Sequence, residues 1–173
     1  MTKTPTTATL VRCSFESPLG RMILAASESG LAGVWFEDQK HLPDMDHWPW
    51  VADHPLLTQA AAQLREYFAG KRQHFDLPLD LRRGTPFQQQ VWQALLDIPA
   101  GQTISYGTLS QRIGKAAAVR AVGAAVGRNP ISIVVPCHRV VGADGSLTGY
   151  AGGLERKTTL LGLENTAQRT IAA

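Results

Sequence analysis

The chain is short of cysteine, of charge and of long apolar runs, and each shortage removes a class of protein. Only Cys13 and Cys137 occur in 173 residues, too few for the disulfide framework of a small secreted domain. Neither sits in the Cys-x-x-Cys spacing of a zinc ribbon or a redox motif. No apolar run is long enough to cross a bilayer, and the polar, threonine-rich start from Met1 to Leu10 lacks the apolar stretch of a secretion signal. The expectation is an intracellular, cytoplasmic protein with two free thiols and no membrane association. A GxGxxG or Walker spacing for a nucleotide phosphate is missing, as are repeats and low-complexity blocks. With 44% hydrophobic and 18% charged residues, the chain is still able to bury a sizeable core, as one large domain or two small ones.

What is present gathers around Pro136-Cys137-His138-Arg139-Val140, entered through Asn129-Pro130 and the apolar run Ile131-Ser132-Ile133-Val134-Val135. The run is rich in β-branched residues and bounded by prolines, which predicts a short buried strand with Cys137 at its end. Pro136 stiffens the backbone on the N-terminal side of the cysteine. The thiolate is the nucleophilic form of cysteine, and a neighbouring imidazole or cation favours it at neutral pH; His138 and Arg139 offer both. Adjacent side chains of an extended segment face opposite ways. Either the chain turns sharply at Cys137, or a proton leaves it through water. Taken alone, a Cys-His pair is more often an inert core cysteine beside a satisfied histidine, so the surrounding pattern has to decide.

That pattern is divided by charge. Residues 1 to 84 carry nine Lys+Arg against ten Asp+Glu, whereas residues 85 to 173 carry eight against four. The basic surplus lies with Cys137 and suggests a polyanionic partner. In the first half, Leu10 to Glu16, Arg21 to Ala26 and Leu31 to Glu37 predict three antiparallel strands separated by turn residues. Asp38 to His54 reads as a surface loop whose three histidines lack metal spacing. Leu57, Ala60, Ala61, Leu64 and Phe68 predict a helix closed by Gly70, and His74 to Leu81 a last strand or extended link. Arg82-Arg83-Gly84 marks the boundary between a 1–81 unit and an 82–173 unit.

Thr85-Pro86-Phe87-Gln88 carries an N-cap, an early proline and a glutamine placed to close a capping box. Phe87, Val91, Leu95 and Ile98 give that helix its apolar face. A second helix from Ser105 to Gly114 and a third over Ala116 to Arg128 form a helix-turn-helix. Val119, Val122 and Val126 predict the buried stripe of the third helix, leaving Arg120, Gly123, Ala124 and Gly127 on a nearly bare face. A helix with such a face suits close approach to another surface, with Arg120 as a projecting peg; the competing reading is a tightly packed Ala/Gly helix. Gly149-Tyr150-Ala151-Gly152-Gly153 reads as a loop able to lie against a flat ligand. A last helix from Leu154 to Leu163 ends at Glu164, a carboxylate able to orient an imidazole.

Arg120-Ala121-Val122-Gly123, Asn129-Pro130, Pro136-Cys137-His138-Arg139-Val140 and Tyr150-Ala151-Gly152-Gly153, in that order and spacing, resemble the O6-alkylguanine-DNA alkyltransferases over Thr85 to about Glu164. The resemblance implies an α/β protein: a small ribonuclease H-like N-terminal domain, then a mostly helical domain whose winged-helix-like helix-turn-helix enters the DNA minor groove. It implies repair in which a flipped base loses an alkyl group from guanine O6, with thymine O4 a second candidate, irreversibly and once per molecule, to Cys137. It assigns His138 as a water-mediated base, Glu164 as its orienting carboxylate and Asn129 as a brace. Tyr106, Val140, Tyr150, Ala151, Gly152 and Lys157 are assigned to the base pocket, with Tyr106 donating to the leaving group. Arg120, Ala121, Gly123, Ala124 and Gln88 are assigned to DNA, with Arg120 filling the place of the flipped base. A monomer acting on alkylated duplex DNA, without metal or cofactor, is expected. Ala151 stands where many members have serine, so a changed substrate range with activity kept is expected; Thr158-Thr159 stands where bulkier residues are common, so altered local packing is expected there. The rival readings are a helix-turn-helix module without transfer activity and a cysteine hydrolase using Cys137, His138 and Glu164.

Overall fold

The structure, a computed structural model, describes residues 9–172, with side chains described through residue 165. Strands β1 (Val11–Ser17), β2 (Gly20–Ser27) and β3 (Gly30–Phe36) form an antiparallel sheet in the order β1-β2-β3, within two residues of the expected bounds. Two-residue turns link them, which fixes the register: Met22, Leu24, Leu31, Val34 and Phe36 go to one core and Ala25, Ala32 and Trp35 to another. One face is covered by α1 (Pro55–Phe68) through Leu57, Ala60, Ala61, Leu64 and Tyr67. The 38–54 segment covers the other and is more than the expected surface loop. Trp48 is buried in it and packs with Leu10, Ala25, Ala32 and Trp35, the two indole rings 5.8 Å apart. A sheet with a single helix leaves its second face apolar and uncovered, and this loop supplies the missing layer.

The link His74 to Leu81 runs extended beside β3. Leu31 N donates to the Pro78 carbonyl and Asp80 N to the Leu31 carbonyl, each at 2.8 Å. A Cβ at Gly30 would stand 2.7 Å from the Pro78 carbonyl oxygen, so this approach requires glycine.

The second half begins with α2 (Pro86–Leu95), whose capping box closes in both directions between Thr85 and Gln88. Helix α3 (Tyr106–Arg112) is capped by the Ser105 hydroxyl, and α4 (Val119–Gly127) follows after the Gly114 turn. The third helix is shorter than expected, and Val119 is 39% exposed instead of buried. Ala125 joins Val122 and Val126 in its core-facing stripe. The reason is where α2 packs: Trp92 Nε1 donates to the Ala125 carbonyl at 2.8 Å, towards the far end of α4, and the first turn overhangs. Strands β4 (Ile104–Ser105) and β5 (Val140–Val141) form a short parallel pair. Helix α5 (Leu154–Ala172) continues past Glu164, since no glycine or proline follows to stop it.

The predicted strand at 131–135 does not form. Only isolated bridges occur there, Val34 to Ile131 and Ser132 to Val135, and Ile133 has φ 72°. Asn129 is the cause. Its buried amide donates to the Val135 carbonyl at 2.7 Å and accepts from Ile131 N at 3.0 Å. Backbone groups that would pair along a strand are thereby satisfied within a tight loop. The loop is also docked on the sheet, with Val34 N donating to the Pro130 carbonyl and Ser132 N to the Val34 carbonyl.

Candidate active site

The folded-back loop delivers Cys137 into a one-turn 3-10 helix, Cys137–Arg139. The chain therefore turns sharply at the cysteine, one of the two resolutions left open by the sequence. Cys137 is 6% exposed and His138 fully buried. Burial pushes the Cys137 thiol up from its ordinary value, with a hydrogen bond from Asn129 and the charge of Lys157 pulling the other way.

His138 and Arg139 both turn towards α5. His138 Nε2 lies 2.7 Å from Glu164 Oε2; Arg139 Nε donates to Oε1 and Nη2 to Oε2, each at 2.9 Å. Arg139 is thus engaged by Glu164 and the Ile98 carbonyl, and is not the activating neighbour of the thiol that the sequence suggested. Burial alone would raise the Glu164 carboxyl, but hydrogen bonds from His138 and Arg139 outweigh it and hold the group at about 2. Burial drives the His138 imidazole down, against the pull of Glu164. The two directions are consistent because Arg139 already neutralises Glu164 in a two-pronged pair, leaving little charge to stabilise an imidazolium. A neutral imidazole beside an ionised carboxylate keeps its proton on Nε2. Nδ1 then has the lone pair, and it meets no hydrogen-bonding partner among the described residues.

A cavity of about 200 Å³ opens over the thiol, lined by Tyr106, Gly123, Asn129, Cys137, Tyr150 and Ala151, among others. It is smaller than the roughly 300–1,000 Å³ of a drug-sized pocket, which suits one planar group better than a whole nucleotide. The Tyr106 hydroxyl is 3.4 Å from the Thr148 carbonyl. Lys157 is buried and donates to the carbonyls of Val140, Thr148 and Gly149, so it clamps the 148–149 backbone to β5. A Cβ at Gly152 would lie 3.0 Å from the Phe36 ring; glycine lets this loop rest on the sheet unit.

Of the expected site residues, the structure brings Cys137, His138, Glu164, Asn129, Tyr106, Tyr150 and Ala151 together. Val140 and Gly152 do not line the cavity. Arg120, Ala121 and Ala124 are exposed on α4, and Gly127 faces open space, so the Ala/Gly face is not packed against its own protein. Gly123 and Gly127 of that same helix line the cavity. Gln88 lies elsewhere, its side chain closing the α2 capping box. Sequence reasoning missed Lys40 and His41 at the cavity and Tyr67, whose hydroxyl donates to Glu164 Oε2 at 2.7 Å. It also passed over Arg112, Lys115 and Arg128, all exposed around the helix-turn-helix; their signal was the basic surplus itself.

Comparison with known proteins covers nearly the whole chain. The family model described as "6-O-methylguanine DNA methyltransferase, ribonuclease-like domain" matches residues 10–81, and the one described as "6-O-methylguanine DNA methyltransferase, DNA binding domain" matches residues 86–166. A curated protein of Mycobacterium tuberculosis named methylated-DNA--protein-cysteine methyltransferase is 50% identical over 151 residues, 87% of this chain and 90% of its own. One of the same name from Methanosarcina acetivorans is 49% identical over 153 residues, 87% and 95% of the two chains. Among solved structures, Mycobacterium tuberculosis OGT in complex with DNA superposes with a TM-score of 0.83 at 48% identity, covering 90% of this chain and 93% of that one.

Proposed function

Because the chain belongs to the 6-O-methylguanine DNA methyltransferase family, we propose that it repairs DNA by moving an alkyl group from guanine O6 to its own Cys137. The observation that carries this reading is a buried thiol at a base-sized cavity, one wall of which is the helix that presents a bare, arginine-bearing face outward. In the proposed step the S–C bond forms as the C–O6 bond breaks, and the thiol proton ends on the departing guanine. No oxidant or reductant enters. Burial keeps the resting cysteine a thiol, so a base is needed. A water between Sγ and His138 Nδ1 serves, with Glu164 holding the Nε2 proton and so the tautomer. Tyr106 donates towards the base as negative charge develops on it. A thioether does not revert to thiol, so each molecule acts once.

The partner in this reading is alkylated duplex DNA approached from the minor groove by a monomer. That groove is only about 6 Å wide, and the Ala121, Gly123, Ala124 and Gly127 face meets the requirement for close approach. Arg120 fills the space left by the flipped base, while Arg112, Lys115 and Arg128 sit near the phosphates. The reading divides the chain into a 1–81 unit and an 82–173 unit. It places the protein in the cytoplasm, where two free cysteines stay reduced. The test is transfer of labelled methyl from an O6-methylguanine duplex, and an O4-methylthymine duplex measures the second substrate. Cys137→Ser is expected to bind the duplex and take up no label; retained uptake would overturn the assignment.

A further inference from the structure

The carboxylate that orients His138 has a third donor from outside the cysteine half of the chain. Tyr67 lies on α1, 97 residues before Glu164 in sequence, and its hydroxyl reaches Glu164 Oε2 at 2.7 Å with both side chains buried. The same oxygen accepts from His138 Nε2 and from Arg139 Nη2. We propose that Tyr67 is a positioning residue for alkyl transfer, its hydroxyl sharing the charge of Glu164 Oε2 so that His138 stays a neutral imidazole with Nδ1 as proton acceptor. The inference rests on the alkyl-transfer reading and adds to it a contribution from the sheet unit.

What counts is the negative charge left on one oxygen. Each hydrogen bond to Oε2 lowers its pull on the His138 Nε2 proton and weakens its support for an imidazolium. Removing the phenol oxygen leaves Oε2 with two donors, and the imidazole then gains more from being protonated. His138 also faces the charges of Lys157 on α5 and Arg139 on its own turn. Glu164 faces Arg139, His138 and Tyr67, with Tyr150 and its loop nearby. Glu164, held at about 2, stays ionised from about pH 5 to 9, so the acid limb of the transfer profile belongs to His138. Burial, with Glu164 beside it, pushes the Tyr67 hydroxyl well above the usual phenol value, so over that range it keeps the proton it donates to Glu164 Oε2.

Tyr67→Phe isolates the hydroxyl, because the ring keeps its packing on Phe68 and Phe75, at centroid distances of 5.4 and 5.6 Å. Single-turnover rates with free O6-benzylguanine, which needs no DNA binding, are measured from about pH 5 to 9 for both proteins. The His138 titration is followed in parallel by NMR with labelled histidine. The proposal predicts that the acid limb and the His138 midpoint both move up by about half a pH unit or more, with the high-pH rate nearly unchanged. An unmoved midpoint, with any rate loss equal at every pH, would overturn it and leave Tyr67 a packing residue. The NMR midpoint needs no transfer. An inert wild type, with the midpoint still shifted in Tyr67→Phe, would therefore count against alkyl transfer and support the control of His138 by Tyr67 through Glu164.

Discussion

Glu164 is the residue on which stability and the proposed chemistry meet. Its carboxyl is lowered in the folded protein from the usual 4.5 to about 2, so its stabilisation is fully present above about pH 4.5 and is lost as pH falls towards 2. With the side chain 1% exposed, a shift of that size corresponds to something on the order of 3 kcal/mol. His138 is lowered from 6.5, so its contribution likewise holds above that pH and declines below it. Both slopes run the same way. Thermal melts are expected to lose midpoint steadily below about pH 6.5, and Glu164→Gln to flatten the stretch between about 4.5 and 2; a pH-independent midpoint would contradict the buried relay. Arg120 is exposed on α4. Remote from the thiol's hydrogen bonds, it has no part in the relay, so Arg120→Ala should slow transfer from duplex DNA by tenfold or more and leave free O6-benzylguanine within about threefold. Equal loss on both substrates would make it structural.

The loop from Asn129 to Pro136 sets the position of Cys137, and it is also where the sequence misled. β-branched composition predicted a strand, because local propensity does not register an asparagine two residues before the run that binds Ile131 N and the Val135 carbonyl together. The capping box of α2 and the three sheet strands were readable, since their signals are short-range and complete within the segment. Tyr67 was not. Positions 67 and 68 lie three and four residues after Leu64, and helical period alone does not choose between Tyr67, which is buried, and Phe68. Arg139 was misassigned for a related reason, as its carboxylate partner stands 25 residues later. Asn129→Ala leaves the buried Ile131 N–H unpaired, at about 1–3 kcal/mol, and removes one of the two hydrogen bonds that the Val135 carbonyl accepts, the other coming from Cys137 N. Urea unfolding should show a loss of about 2–4 kcal/mol together with a large drop in transfer. A stability equal to wild type would mean that the loop holds its shape without the asparagine.

At the scale of the molecule the two halves form one working unit. Val34 pairs with the loop before Cys137, Lys40 N donates to the Ala151 carbonyl, and Arg156 joins Asp38 and the Leu19 carbonyl to the 152 backbone. A fragment holding only residues 82–173 loses these contacts and Tyr67. It should melt well below the full chain and transfer poorly even to O6-benzylguanine; full activity in the fragment would reduce the sheet unit to an appendage. The central claim is that Cys137 itself takes the alkyl group. Its most direct test is intact-protein mass spectrometry after incubation with excess O6-methylguanine duplex, followed by peptide mapping. The account predicts a gain of one methyl, located on Cys137 and saturating at one per protein, with Cys13 unmodified. An unchanged protein mass, methyl on Cys13, or more than one equivalent of DNA repaired per molecule would contradict it.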